Sequence, residues 1–104
     1  MNDILILELK SNLINIDYSK IILFGSRVNN TNSIDSDYDI LVILNNSISH
    51  KEQRKYQAII KGDMAIKGYD IDILLRNKEE IEKYSKFSGN IIYEAMKRGV
   101  VISA

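Results

Sequence analysis

Acidic residues recur with a spacing of two in two segments that are otherwise rich in β-forming residues. Asp37 and Asp39 begin one such segment, and Asp70 and Asp72 begin a later one. Because alternate residues of a strand share a face, the two acids of each pair point the same way, about 7 Å apart along the backbone. If the two strands are neighbours, three or four carboxylates meet on one side of a sheet and repel each other unless a cation lies between them.

A hard divalent cation removes that repulsion. Mg²⁺ prefers carboxylate oxygens and completes its octahedron with water and substrate phosphates. Two such ions about 3.5–4 Å apart suit an in-line displacement at phosphorus. A single D-x-D pair often lies in solvent, and we expect Asp70, beside Tyr69 near the strand start, to be a solvated turn residue. The acids therefore predict a magnesium site for phosphate chemistry, with Asp70 as its weakest member.

A glycine–serine pair, Gly25-Ser26, follows an earlier apolar run and is separated from Asp37 by ten residues. Glycine at the end of a strand lets the backbone approach a phosphate closely. Backbone N–H groups and the serine hydroxyl form an anion nest there, to which Arg27 adds a cationic fork. A bare Gly-Ser pair is by itself only a turn, and the chain contains neither the P-loop nor the Rossmann glycine pattern.

Hydrophobic spacing and turn signals predict the elements that must position these residues. We predict helices at 3–16, from a cap at Ser49 to about Lys67, near 78–85 with Asn77 and Glu80 as its cap, and from about 91 to Gly99. We predict strands at 20–24, 38–44, 69–75 and 100–102, and a polar loop at 29–36. One helical crossover joins the second and third strands, which favours a parallel pair. The expected fold is α+β, with a mixed sheet of about four strands and helices packed on it.

The composition limits the class of protein. The 104 residues predict a single domain over 1–104, and 14 basic residues balance 14 acidic ones, which disfavours a nucleic-acid binder. The absence of cysteine excludes thiolate metal sites, and His50 is the single histidine, expected on the surface near a helix start. The longest apolar run has five residues and no basic leader begins the chain, so we expect a cytoplasmic protein without a membrane segment.

The combined pattern resembles the DNA polymerase β-like nucleotidyltransferase superfamily. An apolar strand, Gly25-Ser26, ten residues, Asp37-Tyr38-Asp39 and the later acid Asp72 follow the family's order of hydrophobic-G-S, spacer, D-h-D and third acid. The chain looks like the small stand-alone branch, the minimal nucleotidyltransferases, whose tail is similar to segments 72–80 and 92–100. This likeness spans nearly the whole chain and implies the polymerase β-like palm fold.

The resemblance also implies the roles of the matched residues. These are Gly25 and Ser26 for nucleotide binding, and Asp37, Asp39 and Asp72 as metal ligands and catalytic residues. Arg27 and Ser36, which lie beside these motifs, are further candidates for nucleotide binding. Asp37 and Asp39 would bridge the metals, and Asp72 would bind the metal that activates the acceptor hydroxyl. The implied cofactors are two Mg²⁺ ions, with Mn²⁺ as a substitute, and ATP or another nucleoside triphosphate is the implied substrate.

The implied reaction moves a nucleoside monophosphate, AMP from ATP, to an acceptor hydroxyl and releases pyrophosphate. The chain is too small to hold its own acceptor, and in the resembled family the usual partner is a small helical HEPN protein, often a toxin ribonuclease that the nucleotidyltransferase neutralises. Two alternatives stay open. One is a non-catalytic antitoxin that neutralises by contact. The other is a small-molecule adenylyltransferase of the antibiotic-modifying kind, for which a homo-oligomer would supply the acceptor surface.

Overall fold

Four helices and four strands are present in a computed structural model that describes residues 3–25 and 38–103. In chain order they are α1 (Asp3–Asn12), β1 (Tyr18–Phe24), β2 (Tyr38–Leu44), α2 (His50–Ile66), β3 (Ile71–Asn77), α3 (Lys78–Tyr84), α4 (Ile91–Arg98) and β4 (Val100–Ser103). Across those two ranges, every helix is too short or too polar to cross a lipid bilayer. The predicted loop at 29–36 lies outside the described residues.

The strands form one mixed sheet in the order β3-β2-β1-β4. β2 and β3 are parallel, whereas β1 runs antiparallel to both β2 and β4. This arrangement confirms the predicted α+β class and the parallel pair joined by a helical crossover. β3 is therefore an edge strand of the sheet, next to the strand that carries Asp39.

Three elements differ from the sequence-based prediction by two or more residues at a boundary. α1 ends at Asn12 rather than at 16, because Leu13 N–H and Ile16 N–H bond to carbonyls three residues earlier and form tight turns. Leu13 is nevertheless buried, so its helical spacing from Leu9 reflects packing rather than a longer helix. β1 begins two residues early. β3 runs two residues later than predicted, since Tyr69 N–H bonds to Met64 O at the end of α2.

Apolar side chains cover both faces of the sheet, which explains the continuous apolar sequence of β2. On one face, residues such as Ile40 and Val42 pack against α1 and α2. On the other, Leu41 and Ile43 pack with Ile81 and Ile92 of α3 and α4. Side chains alternate along a strand, so the odd-numbered residues of β2 point toward α3 and α4. Asp39 therefore belongs to the α3/α4 face.

Helix α2 covers the outer edge of β3 and is held there by a side-chain bridge. Gln57 Oε1 accepts hydrogen bonds from Leu75 N–H and from Arg76 Nη1, each at 3.0 Å. The bridge satisfies a backbone donor that an edge strand would otherwise leave to solvent. At its start, α2 is capped as predicted, with Glu52 N–H donating to Ser49 Oγ at 3.1 Å. These contacts fix the helix beside the strand that carries Asp72.

A buried polar cluster joins the end of β3 to the starts of α2 and α3. Glu80 accepts hydrogen bonds from Asn77 N–H at 2.9 Å and from Gln53 Nε2 at 2.6 Å, and lies 3.2 Å from His50 Nε2. Burial raises the pKa of Glu80, but these hydrogen bonds and the nearby charge of Arg76 outweigh it and hold the pKa below its ordinary value. Asn77 and Glu80 form the predicted capping box, and His50 is the exposed first residue of α2.

The lowered pKa of Glu80 predicts a pH-dependent contribution to stability. Its ionisation stabilises the fold above the pKa of the unfolded chain, and that stabilisation is lost as the pH falls through the lower folded pKa. We expect Glu80→Gln to lower the free energy of unfolding at neutral pH by about 1–2 kcal/mol. The variant should also lose less stability than the wild type between about pH 5 and pH 3.

Urea unfolding of both proteins across that pH range measures this difference. Glu82→Gln, at an exposed position of the same helix, is the matched control and should behave like the wild type. An unchanged pH dependence in Glu80→Gln would contradict the assignment.

Candidate functional site

The acids near the starts of β2 and β3 lie side by side. Asp39 and Asp72 are direct register partners in the parallel pair. Partners in such a pair point to the same face, and neighbouring strands lie about 4.8 Å apart. Both residues line one cavity of about 470 Å³ on the α3/α4 side of the sheet. The expected meeting of acids from two strands is therefore present for these two residues.

The cavity has an apolar wall and a polar wall. Phe24 and Leu74 from the sheet contribute apolar surface, while α2 contributes Arg54 and Lys61. Lys61 Nζ lies 2.8 Å from Asp72 Oδ1. The Asp72 side chain is 53% exposed, so water and soluble ions reach its carboxylate directly.

The sequence did not single out Lys61 or Arg54. Charged residues at helical spacing usually form a solvated face, and no motif sets these two apart. Their seven-residue separation on a predicted crossover helix was the available signal, because such a helix packs beside the strand that it leads into. That spacing does not specify which side of α2 faces the acids, and the structure shows that it is the side of Arg54 and Lys61.

Gly25 directly follows β1 and lies close to the side chain of Asp39. Its φ is 83°, a left-handed conformation that favours glycine. A β-carbon built on Gly25 would overlap Oδ2 of Asp39. From the sequence, we expected this glycine to let a phosphate approach the backbone closely. The structure adds a second reason, which is that the Asp39 carboxylate occupies the space of a side chain.

The structure places only part of the predicted site. Gly25, Asp39 and Asp72 are brought together, whereas the remaining predicted site residues lie outside the described residues; they are Ser26, Arg27, Ser36 and Asp37. Asp70, expected in a solvated turn, is exposed and precedes β3, and its carbonyl accepts Tyr38 N–H at 3.2 Å. Over residues 3–25 and 38–103, no cluster of three or more acidic or histidine side chains is arranged to hold a metal ion.

The donor set at this edge of the sheet fits a hard divalent cation. Asp39 and Asp72 offer carboxylate oxygens toward one water-accessible cavity, and such oxygens are the ligands that Mg²⁺ prefers. Two carboxylates on adjacent strands also repel each other, which a cation between them relieves. Lys61 already provides part of that compensation at Asp72.

The close approach of Gly25 to Asp39 predicts a non-additive pair of substitutions. Gly25→Ala should destabilise the protein by about 1–3 kcal/mol, because it adds both backbone strain and the overlap with the carboxylate. In an Asp39→Ala background the overlap disappears, and only the strain of about 1 kcal/mol should remain. Urea unfolding of the four proteins in a double-mutant cycle measures the coupling. An equal cost of Gly25→Ala in both backgrounds would show that the two residues do not compete for space.

The chain is similar to solved structures of toxin–antitoxin complexes. No curated protein matches the chain. A chain in a crystal structure of a toxin–antitoxin with AMP-PNP has a TM-score of 0.59 at 18% identity, covering 100% of this chain and 74% of that chain. A chain in the mutant toxin–antitoxin MntA-HpeT has a TM-score of 0.57 at 16% identity, covering 100% and 74%.

A third solved structure is a complex of a tri-AMPylated Shewanella oneidensis HEPN toxin with an MNT antitoxin. It matches with a TM-score of 0.52 at 15% identity, covering 98% of this chain and 68% of that chain. At these identities the three structures establish the fold. The family is established separately, because the model of the nucleotidyltransferase domain matches residues 3–102. The chain therefore belongs to the nucleotidyltransferase domain family.

Proposed function

We propose that the protein is a metal-dependent adenylyltransferase that transfers AMP from ATP to a hydroxyl group of a HEPN-type partner protein. In this proposal it acts as a single domain in the cytoplasm and is the antitoxin of the pair. The observation that carries the proposal is the side-by-side placement of Asp39 and Asp72 in one cavity beside Gly25. Membership of the nucleotidyltransferase domain family identifies the chemistry that such carboxylates serve.

The chain's own residues divide the work of binding. Asp39 and Asp72, together with Asp37, would hold two Mg²⁺ ions, with Mn²⁺ as a substitute. When bound, such ions neutralise phosphate charge and lower the pKa of a coordinated hydroxyl. Gly25 and Ser26 would bind the triphosphate through backbone N–H groups and the hydroxyl, with Arg27 and Ser36 as further contacts.

The proposed transfer needs no covalent intermediate on the protein. The acceptor oxygen forms a bond to the α-phosphorus while the bond from that phosphorus to the oxygen bridging to the β-phosphate breaks. Pyrophosphate leaves with the electrons of the broken bond, and the acceptor's proton passes to water. Asp39 and Asp72 act by holding charge and orienting the reacting groups, which is how phosphoryl-transfer sites lower the barrier.

In this proposal another protein supplies the acceptor hydroxyl. The structures with this fold support a protein acceptor, since one is a complex with AMP-PNP and another contains a tri-AMPylated HEPN toxin. In the MntA-HpeT mutant, two aspartates two positions apart are changed to glutamate, and Asp37 and Asp39 have the same spacing.

Label transfer to the partner tests the proposal. The protein is incubated with Mg²⁺, ATP labelled at the α-phosphate and the protein encoded by the gene next to its own, which the proposal expects to be of the HEPN type. We expect label on the partner, and Asp39→Asn and Asp72→Asn should each reduce the rate by about 100-fold or more. Asp70→Asn, at an exposed acid next to the same strand, is the matched control and should retain the rate.

The same variants separate catalysis from contact. If AMP transfer neutralises the toxin, Asp39→Asn should fail to protect cells that express the partner. A protein that binds ATP but leaves the partner unlabelled, with neutralisation intact in Asp39→Asn, would contradict the proposal and establish a contact antitoxin instead.

A further inference from the structure

We propose that helix α2 supplies a second nucleotide-binding element, made of Arg54 and Lys61, in addition to the turn at Gly25. Lys61 holds the Asp72 carboxylate until a divalent cation takes it, and then joins Arg54 in binding the phosphates of the nucleotide. This inference rests on the proposed function, because it assumes a nucleotide and a metal at this site.

Lys61 of α2 forms an ion pair with Asp72 of β3. Lys61 Nζ lies 2.8 Å from Asp72 Oδ1, and both side chains line the cavity that also contains Asp39. The side chains of Lys61 and Asp72 are 56% and 53% exposed. An ion pair this open to water is weak and exchanges partners readily. Lys61 is thus a counter-ion that a stronger cation can replace.

Arg54 lies seven residues before Lys61, on the same side of α2 and about 10 Å from it along the helix axis. Arg54 lines both the cavity of the two acids and an adjoining cavity of about 390 Å³ that shares Gln57 and Ile91. No hydrogen bond or ion pair joins the side chain of Arg54 to another of the described residues. Its guanidinium is suited to a phosphate at the junction of the two cavities.

The helix is held so that these two cations face the cavity. Gln57 lies between them in sequence and is bonded to Leu75 N–H and Arg76 of β3. Farther along α2, Ile60 and Met64 are buried in the core, on the part of the helix surface next to its cationic side. The helix therefore cannot turn its cationic side away without breaking the Gln57 bridge and exposing the core residues.

Lys61 should have opposite effects on the binding of a divalent cation alone and on the binding of a nucleotide. In the absence of nucleotide, its ammonium group competes with a divalent cation for Asp72. A divalent cation bound at Asp72 would repel the ammonium group, whereas a triphosphate brings negative charge that attracts it. Lys61 should therefore oppose the binding of metal alone and favour the binding of nucleotide. A residue that only supports the fold would affect both in the same direction.

Two binding measurements on the full chain test this reversal. Mn²⁺ alone is titrated and followed by electron paramagnetic resonance, and AMP-PNP is titrated calorimetrically in saturating Mg²⁺. We expect Lys61→Gln to bind Mn²⁺ about two- to fivefold more tightly, as the loss of an exposed competing ion pair allows. The same variant should bind AMP-PNP about tenfold more weakly, because a charge-assisted contact is lost.

Three further variants assign the effects. Arg54→Gln should weaken AMP-PNP binding and leave the Mn²⁺ affinity unchanged. Lys61→Arg should retain the cation and restore both affinities toward those of the wild type. Lys55→Gln removes a cation from the same helix at an exposed position outside both cavities and should change neither.

The outcomes separate this inference from the proposed function. If the wild type binds AMP-PNP with Mg²⁺ but Lys61→Gln weakens both ligands, or changes neither, the role of α2 is overturned and the transferase proposal stands. If the wild type binds no nucleotide in the presence of Mg²⁺, the proposed function fails and this inference fails with it. Circular dichroism of each variant shows that a loss of binding does not come from unfolding.

Discussion

The register between β2 and β3 is the constraint on which the candidate site depends. A slip of one residue would send every side chain of β3 to the opposite face of the sheet. Ile71, Ile73 and Leu75 would then leave the core beneath α1 and α2, and the Asp72 carboxylate would be buried among apolar residues. The cost of that exchange holds Asp72 beside Asp39. The hydrophobic pattern of β3 thus positions a charged group that contributes nothing to the core itself.

Helix α2 connects the core to the cavity. Its buried residues Ile60 and Met64 pack under the sheet, while Gln57 bridges to the backbone of β3 and Lys61 reaches Asp72. At the C-terminal end of α2, Lys67 bonds to Glu8 of α1 at 2.7 Å. The cations of the cavity wall are therefore placed by the packing of the buried residues and by the hydrogen bonds of Gln57. The same contacts that stabilise the fold determine where positive charge meets the carboxylates.

Local signals in the sequence predicted much of this structure. The apolar run of β2 and the caps at Ser49 and Asn77 located their elements closely, because those signals act within a few residues. The ends of α1 and β3 were displaced by turns that depend on tertiary packing. The D-x-D spacing, together with the predicted pairing of the second and third strands, led us to expect that acids of the two strands would meet. The contact of Lys61 with Asp72, in contrast, joins a helix face to a strand. Which helical cation faces an acid depends on the rotation of the packed helix, and no local spacing specifies that rotation.

A crystal of the protein soaked with Mn²⁺ and AMP-PNP, with the manganese located by anomalous scattering, tests the candidate site itself. We expect manganese bound by both Asp39 and Asp72, with the phosphates of the nucleotide beside Gly25. Manganese bound elsewhere, or nucleotide phosphates distant from this edge of the sheet, would rule out the candidate site.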